Sequence, residues 1–217
     1  MRGHGNITRI EEALPKPLFH RLLQSIEALG ETGLRHTYQR TFWFPRGAAP
    51  SCVVEEAIAV LAPQVDVSVA GYEWWLSRMR TSNVQVDFHR DHDIALAESG
   101  GPMRHPLRSS VLFLNRCHGG LLAVSEQAPN PRNPALAPTE HDFELVEPKP
   151  NRWVHFDGRL THGVLDARNQ LPGQRLPREA KLRLSIPVNF WAARPRGVPE
   201  FRSTRLYRPL RRTHRIE

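Results

Sequence analysis

Apolar residues recur along this chain with two periods, one in its first third and another in the remainder. From Pro17 to Leu29 the apolar positions Leu18, Leu22, Ile26 and Leu29 share one helical stripe. Pro17 suits a first helical turn and Gly30 suits the position just past a helix end, so a helix is predicted there. Arg40 to Phe44 predicts a strand closed by Pro45, and Ser51 could cap a second helix over Cys52 to Leu61. From Tyr72 onward the apolar runs are short and separated by Gly, Pro, Asn and Asp. They cover Tyr72 to Met79, Gln85 to Phe88, Ser109 to Asn115, Leu121 to Val124, Phe143 to Val146, Trp153 to Phe156 and Leu182 to Trp191. Helices gathered at one end and many short strands after them predict a mainly β fold, a sandwich or barrel supported by N-terminal helices. The stretch Gln127 to Thr139 (QAPNPRNPALAPT) has no period and predicts a loop over one end of the barrel.

Composition narrows this picture in two ways. A chain of 217 residues with 40% hydrophobic residues can bury a sizeable core without a staple, and Cys52 and Cys117 are too few for a disulfide framework. No apolar window reaches membrane-spanning length, mean hydropathy is −0.48, and Met1 to Ile10 lacks the apolar run of a secretion signal. A soluble, cytoplasmic protein is expected. The formal charge of +8 raises nucleic acid as a partner, but residues 194–217 hold eight Arg and two Glu, which leaves only +2 for the rest. One domain is expected over 1–193, with helical support at about 12–62, the barrel at about 72–191, and a basic extension at 194–217.

The densest polar cluster is Val86-Asp-Phe-His89-Arg-Asp91-His92-Asp93. Alternation along a strand points His89 and Asp91 the same way and Arg90 the other, so an imidazole and a carboxylate could hold one cation. A second imidazole from elsewhere would complete the two-histidine, one-carboxylate triad of non-haem iron sites. His162, in Phe156-Asp-Gly-Arg-Leu-Thr-His162-Gly-Val, is a suitable partner. Twenty-one residues on, Arg183-Leu-Ser185-Ile-Pro-Val-Asn-Phe-Trp191 puts Arg183, Ser185, Asn189 and Trp191 on one face and Leu182, Leu184, Ile186, Val188 and Phe190 on the other. An Arg with a hydroxyl two residues away can hold a carboxylate by charge-assisted hydrogen bonds.

The ordered set His89-x-Asp91, His162, then Arg183-x-Ser185 resembles the Fe(II)/2-oxoglutarate-dependent dioxygenases, in particular their smaller prolyl-hydroxylase-like members. The resemblance covers about residues 72–191. It implies a double-stranded β-helix, a jelly-roll or cupin-like barrel. It further implies that His89, Asp91 and His162 ligate Fe(II), and that Arg183 and Ser185 bind the distal carboxylate of 2-oxoglutarate, with O2 as the second cosubstrate. The activity implied is hydroxylation of an unactivated C–H bond in a small molecule or peptide, with release of succinate and CO2.

Other residues have simpler expectations. His92 and Asp93 are expected beside the ligands or at the surface, with Asp93 able to orient a ligand if the strand continues past Asp91. His155-Phe-Asp157 repeats the ligand spacing, but only His214 lies downstream of it. His118 is expected in a turn before Gly119-Gly120, and Ser109 or Ser110 could make a polar contact inside the barrel. A nucleic-acid dealkylase of the same superfamily is one alternative, but those enzymes typically carry a second Arg six residues after the first, where this chain has Asn189. A non-catalytic basic binding protein is the other, and no RNA-binding signature supports it.

Overall fold

The computed structural model describes residues 7–34, 40–80, 88–126, 143–165 and 182–211. Strand β1 (Ile7–Ile10) opens the chain, followed by helices α1 (Lys16–Glu27) and α2 (Gly30–Leu34). Next come β2 (Phe42–Pro45), α3 (Val53–Leu61), β3 (Gly71–Trp74), β4 (Ser77–Arg80) and the short α4 (Ile94–Glu98). Six strands follow, β5 (Arg108–Phe113), β6 (Leu122–Ser125), β7 (Glu144–Val146), β8 (Trp153–Asp157), β9 (Thr161–Val164) and β10 (Leu182–Trp191), and then short 3-10 turns at Phe201–Ser203 and Arg208–Leu210. No helix among the described residues is long and apolar enough to cross a membrane.

Two antiparallel sheets result. The larger runs β1-β8-β5-β10-β3-β2, with β4 also paired to β10, and the smaller runs β7-β6-β9. The larger sheet has an apolar core on each side. On its outer face Leu112, Trp153, Ile186, Val188 and Phe190 pack with Leu18, Leu22, Ile26, Val54 and Ile58 of the helices. On its inner face Val111, Phe113, Val154 and Phe156 meet Leu122, Val124 and Val146 of the smaller sheet. The alternation along β5 and β8 is what lets one strand serve both cores, with Leu112 and Trp153 facing out and Val111, Phe113, Val154 and Phe156 facing in.

Three departures from the sequence expectation have physical causes. The run Tyr72 to Met79 is two strands, because Pro187 of the central strand β10 has no N–H to offer. Its carbonyl accepts Trp75 N–H at 3.3 Å, so the missing donor faces the same side, where pairing lapses between β3 and β4. Ser51 does not cap α3. Cys52 holds the cap position, and Ser51 instead donates its backbone N–H and hydroxyl to Glu55 at 2.6 and 2.7 Å. Finally, β1 pairs with β8 in a segment where the apolar pattern predicts no element.

From Arg194 to Arg211 the chain stays on the body. Phe201 and Leu210 are buried in the outer core, and Phe201 meets Phe42 edge-on at 5.2 Å. Several of its arginines have local partners: Arg194 donates to the carbonyl of Val198, and Arg202 pairs with Glu200 at 2.5 Å. The loop expected at 127–139, residues 85–87 and 168–180, and the end of the chain from 212 lie outside the described residues.

Candidate metal centre and cosubstrate pocket

His89, Asp91 and His162 come together although His162 lies 73 positions beyond His89 in the chain. The backbone does this: His89 and His162 form a two-way bridge, with N–H···O distances of 3.0 and 2.9 Å. His89 therefore sits alongside β9 as a further strand of the smaller sheet would. Gly163 allows the approach, because a Cβ there would stand 3.0 Å from the Phe88 ring. The side chains then converge. His89 Nε2 lies 3.4 Å from Asp91 Oδ1, and His162 Nε2 lies 3.4 Å from Asp91 Oδ2.

The surroundings hold each donor in place. His162 Nδ1 lies 3.2 Å from the carbonyl of Leu160, which turns Nε2 toward Asp91. Ser109 on β5 donates its hydroxyl to Asp91 Oδ2 at 2.7 Å. His105 Nδ1 lies 2.6 Å from the Asp91 carbonyl and fixes the backbone behind the carboxylate. Burial lowers the His162 imidazole from its ordinary value and so favours the neutral form, against the pull of Asp91. Burial alone would raise the Asp91 carboxyl, but His162, His89 and Ser109 outweigh it and hold the group well below the usual carboxylate range. The result is an enclosed carboxylate with an imidazole nitrogen 3.4 Å from each of its oxygens.

This donor set fits a divalent transition metal. Ligands at about 2.1 Å on one face of an octahedral ion stand roughly 3 Å apart. The two 3.4 Å nitrogen-to-oxygen separations are within a few tenths of that, and the potential ligand atoms all lie within 4.8 Å of one another. Two neutral imidazoles and one carboxylate cancel one of the two charges of a dication, and an anionic chelator can offset the other.

Arg183 and Ser185 line the same pocket. Arg183 is only 2% exposed, donates from Nε to Gly120 O at 3.0 Å and from Nη1 to Ser185 Oγ at 2.9 Å, and lies over the Phe113 ring at 5.1 Å. Gly119 and Gly120 both have φ of 70°, a backbone that only glycine adopts without strain, and this turn delivers the accepting carbonyl. Asn115 grips the backbone on either side of Arg183, donating to Leu182 O at 2.7 Å and accepting from Leu184 N at 2.8 Å.

Sequence reasoning missed Ser77. It stands opposite Ser185 in the β4-β10 register and lines the pocket, and its buried hydroxyl has no hydrogen-bond partner among the described residues. A buried hydroxyl without a partner is costly, so a ligand atom that accepts from it is favoured. Only the pairing register between two distant segments could have revealed it. Ser109 is the serine that reaches the cluster, whereas Ser110 donates outward to Val188 O at 2.8 Å.

Asp93 does not orient a ligand. The strand ends, and Asp93 becomes the N-cap of α4, accepting from Leu96 N at 3.1 Å while pairing with Arg104 and accepting from Arg196 N. Asp157 of the rival spacing pairs with Arg159 at 2.7 Å, away from any second histidine pair.

Two facing antiparallel sheets with a His-x-Asp pair and a distant His on the smaller sheet define a double-stranded β-helix with an internal metal-type cluster. Comparison with solved structures agrees on the fold. The chain superposes on a prolyl 4-hydroxylase from Phytophthora capsici with a TM-score of 0.51 and 16% identity, covering 87% of this chain and 59% of that one. HygX from Streptomyces hygroscopicus, solved with nickel and 2-oxoglutarate bound, gives 0.50 and 13% identity over 89% of this chain and 90% of its own. A Pseudomonas putida prolyl-4-hydroxylase gives 0.49 at 16% identity over 87% and 89%. No family model and no curated protein matches the chain. At such identities the likeness speaks for the fold, and the chemistry has to be argued from the site.

Proposed function

We propose that the protein is an Fe(II)- and 2-oxoglutarate-dependent oxygenase that hydroxylates a small molecule or peptide. The observation that carries this is the conjunction, in one pocket, of the His89–Asp91–His162 cluster and the buried Arg183–Ser185 pair. Either alone has other uses. Together they match a metal and a dicarboxylate whose two ends must be held at once.

In this scheme His89, Asp91 and His162 would hold the iron, beside the pocket that would take the cosubstrate. Arg183 and Ser185 receive the distal carboxylate of 2-oxoglutarate, and Ser77 opposite supplies a further donor. When bound, iron with 2-oxoglutarate and O2 supplies oxidative decarboxylation to succinate and CO2 and insertion of one oxygen atom into a substrate C–H bond. The chain orients these groups. Ser109 keeps Asp91 turned to the two imidazoles, Leu160 O holds the His162 tautomer, and the apolar walls Val111, Phe156 and Val164 keep bulk water away. Asn189 stands where dealkylases of the superfamily carry their second Arg, which disfavours nucleic acid as substrate. Two free cysteines, Cys52 and Cys117, suit a reducing cytoplasm.

The test is succinate formation from 2-oxoglutarate in air, with and without added Fe(II), combined with mass spectrometry of candidate substrates for a gain of one oxygen. Iron-dependent succinate that rises with a hydroxylated substrate is expected. No succinate under any condition, with the metal bound, would overturn the proposal.

A further inference from the structure

Glu73 is a carboxylate on the inner face of the larger sheet that the scheme above does not use. In the pairing register it lies directly across from Asn189, which in turn lies across from Ser109, the hydrogen-bond donor to Asp91. Directly paired residues on antiparallel strands share a face with their Cβ atoms about 5 Å apart. Trp75, two residues after Glu73 and on the same side, lines the metal pocket, as does Asn189. Glu73 thus stands one position further along the wall that leads from the metal cluster toward Trp191 and Trp43.

Its partners are all neutral. Trp191 Nε1 donates to Glu73 Oε2 at 3.0 Å, and the Thr41 side chain supplies a second hydrogen bond. No ion pair to Glu73 exists among the described residues. Arg104, whose guanidinium lies 5.9 Å from the Trp191 ring centre, is paired to Asp93 instead. Burial pushes the Glu73 carboxyl up to about 7, and Asp91 and Asp93 add to the rise. An inward-facing carboxylate under the influence of two others, with no ion-pair partner among the described residues, is poorly stabilised as an anion unless a cation arrives.

We propose that Glu73 is a specificity-determining residue, binding a protonated amine of the substrate and so placing a neighbouring carbon toward the metal. This rests on the oxygenase assignment and names the substrate class: an amine-bearing compound rather than a carboxylate or phosphate. The amine satisfies the carboxylate by a charge-assisted hydrogen bond, while Trp191 and Thr41 keep the acceptor fixed. Asn189 lies between Glu73 and the cluster, in position to contact the segment of substrate between amine and reacting carbon.

The experiment measures substrate-stimulated succinate release from the iron-loaded protein with matched pairs of compounds. Each pair is an amine and its N-acetyl derivative, drawn from polyamines, amino sugars and lysyl peptides, and the arm that responds identifies the source of the amine. The wild type is expected to favour the amine of at least one pair by about tenfold, as for one charge-assisted hydrogen bond. Glu73→Gln keeps the shape and the acceptor for Trp191, and is expected to reduce that preference to within about twofold. Glu73→Asp is expected to keep the sign of the preference. In both variants anaerobic affinity for Fe(II) and 2-oxoglutarate should stay unchanged, a readout on which a purely structural defect would show. The proposal is overturned if N-acetyl or anionic members stimulate equally or better, if Glu73→Gln retains the preference, or if no amine stimulates a protein that binds both iron and 2-oxoglutarate. Failure to bind iron and 2-oxoglutarate at all would instead remove the oxygenase assignment.

Discussion

The two faces of strand β10 make opposite use of burial. Outward, Ile186, Val188 and Phe190 sit at 1–2% exposure among helix side chains and require nothing but shape. Inward, Arg183, Ser185 and Asn189 are at 1–3% exposure, just as deeply enclosed, but are polar. Apolar burial stabilises at roughly 25 cal/mol per Å², whereas an enclosed charge costs several kcal/mol unless partners offset it. The outer face thus accounts for stability, and the inner face retains groups that stability alone would not select.

That contrast can be broken at either face. The largest loss of function is expected from Asp91→Ala, because removing a ligand should weaken metal binding by more than the roughly 100-fold seen for outer partners. Thermal unfolding of the metal-free variant should be nearly unchanged, and a dye-based metal titration checks the other half. On the outer face Phe190→Ala should cost about 3–5 kcal/mol in denaturant unfolding while leaving metal affinity of the folded fraction intact. Arg183→Met should invert this pattern: about 100-fold weaker 2-oxoglutarate binding by calorimetry, with stability within about 2 kcal/mol of the parent. If Arg183→Met unfolds the protein instead, the inner face is structural and the contrast fails. Ser77→Ala is the finest probe. It should weaken 2-oxoglutarate by only a few-fold and leave stability unchanged or slightly raised, since it deletes a buried hydroxyl with no partner among the described residues.

The same two faces explain what could be read from sequence. The alternation of Leu184-Ser185-Ile186 and Val188-Asn189-Phe190 sorts polar from apolar within one segment, so both faces of β10 were legible. The His89-Asp91 pair was legible because both ligands lie on one short stretch. Ser77 and Glu73 carry no such local mark. Each matters because of the residue opposite it in the register, Ser185 and Asn189, and register between distant strands is not a local property. A polar contact of Ser109 inside the barrel could be expected, but not that its partner is Asp91. Asp93 shares a face with Asp91 only if a strand runs past Asp91, whereas its side chain caps α4 and the chain turns into that helix. Phe201 and Leu210 were similarly hidden, being single apolar residues in an arginine-rich stretch without a period.

The most direct measurement is an anaerobic titration of the metal-free protein with Fe(II) and then 2-oxoglutarate, followed by visible absorption. The wild type should develop the weak charge-transfer band of a chelated keto acid at one iron per chain, and His162→Ala and Arg183→Met should each lose it at the same concentrations. A wild-type protein that binds neither component, or a band that survives His162→Ala, would contradict the site proposed for this chain.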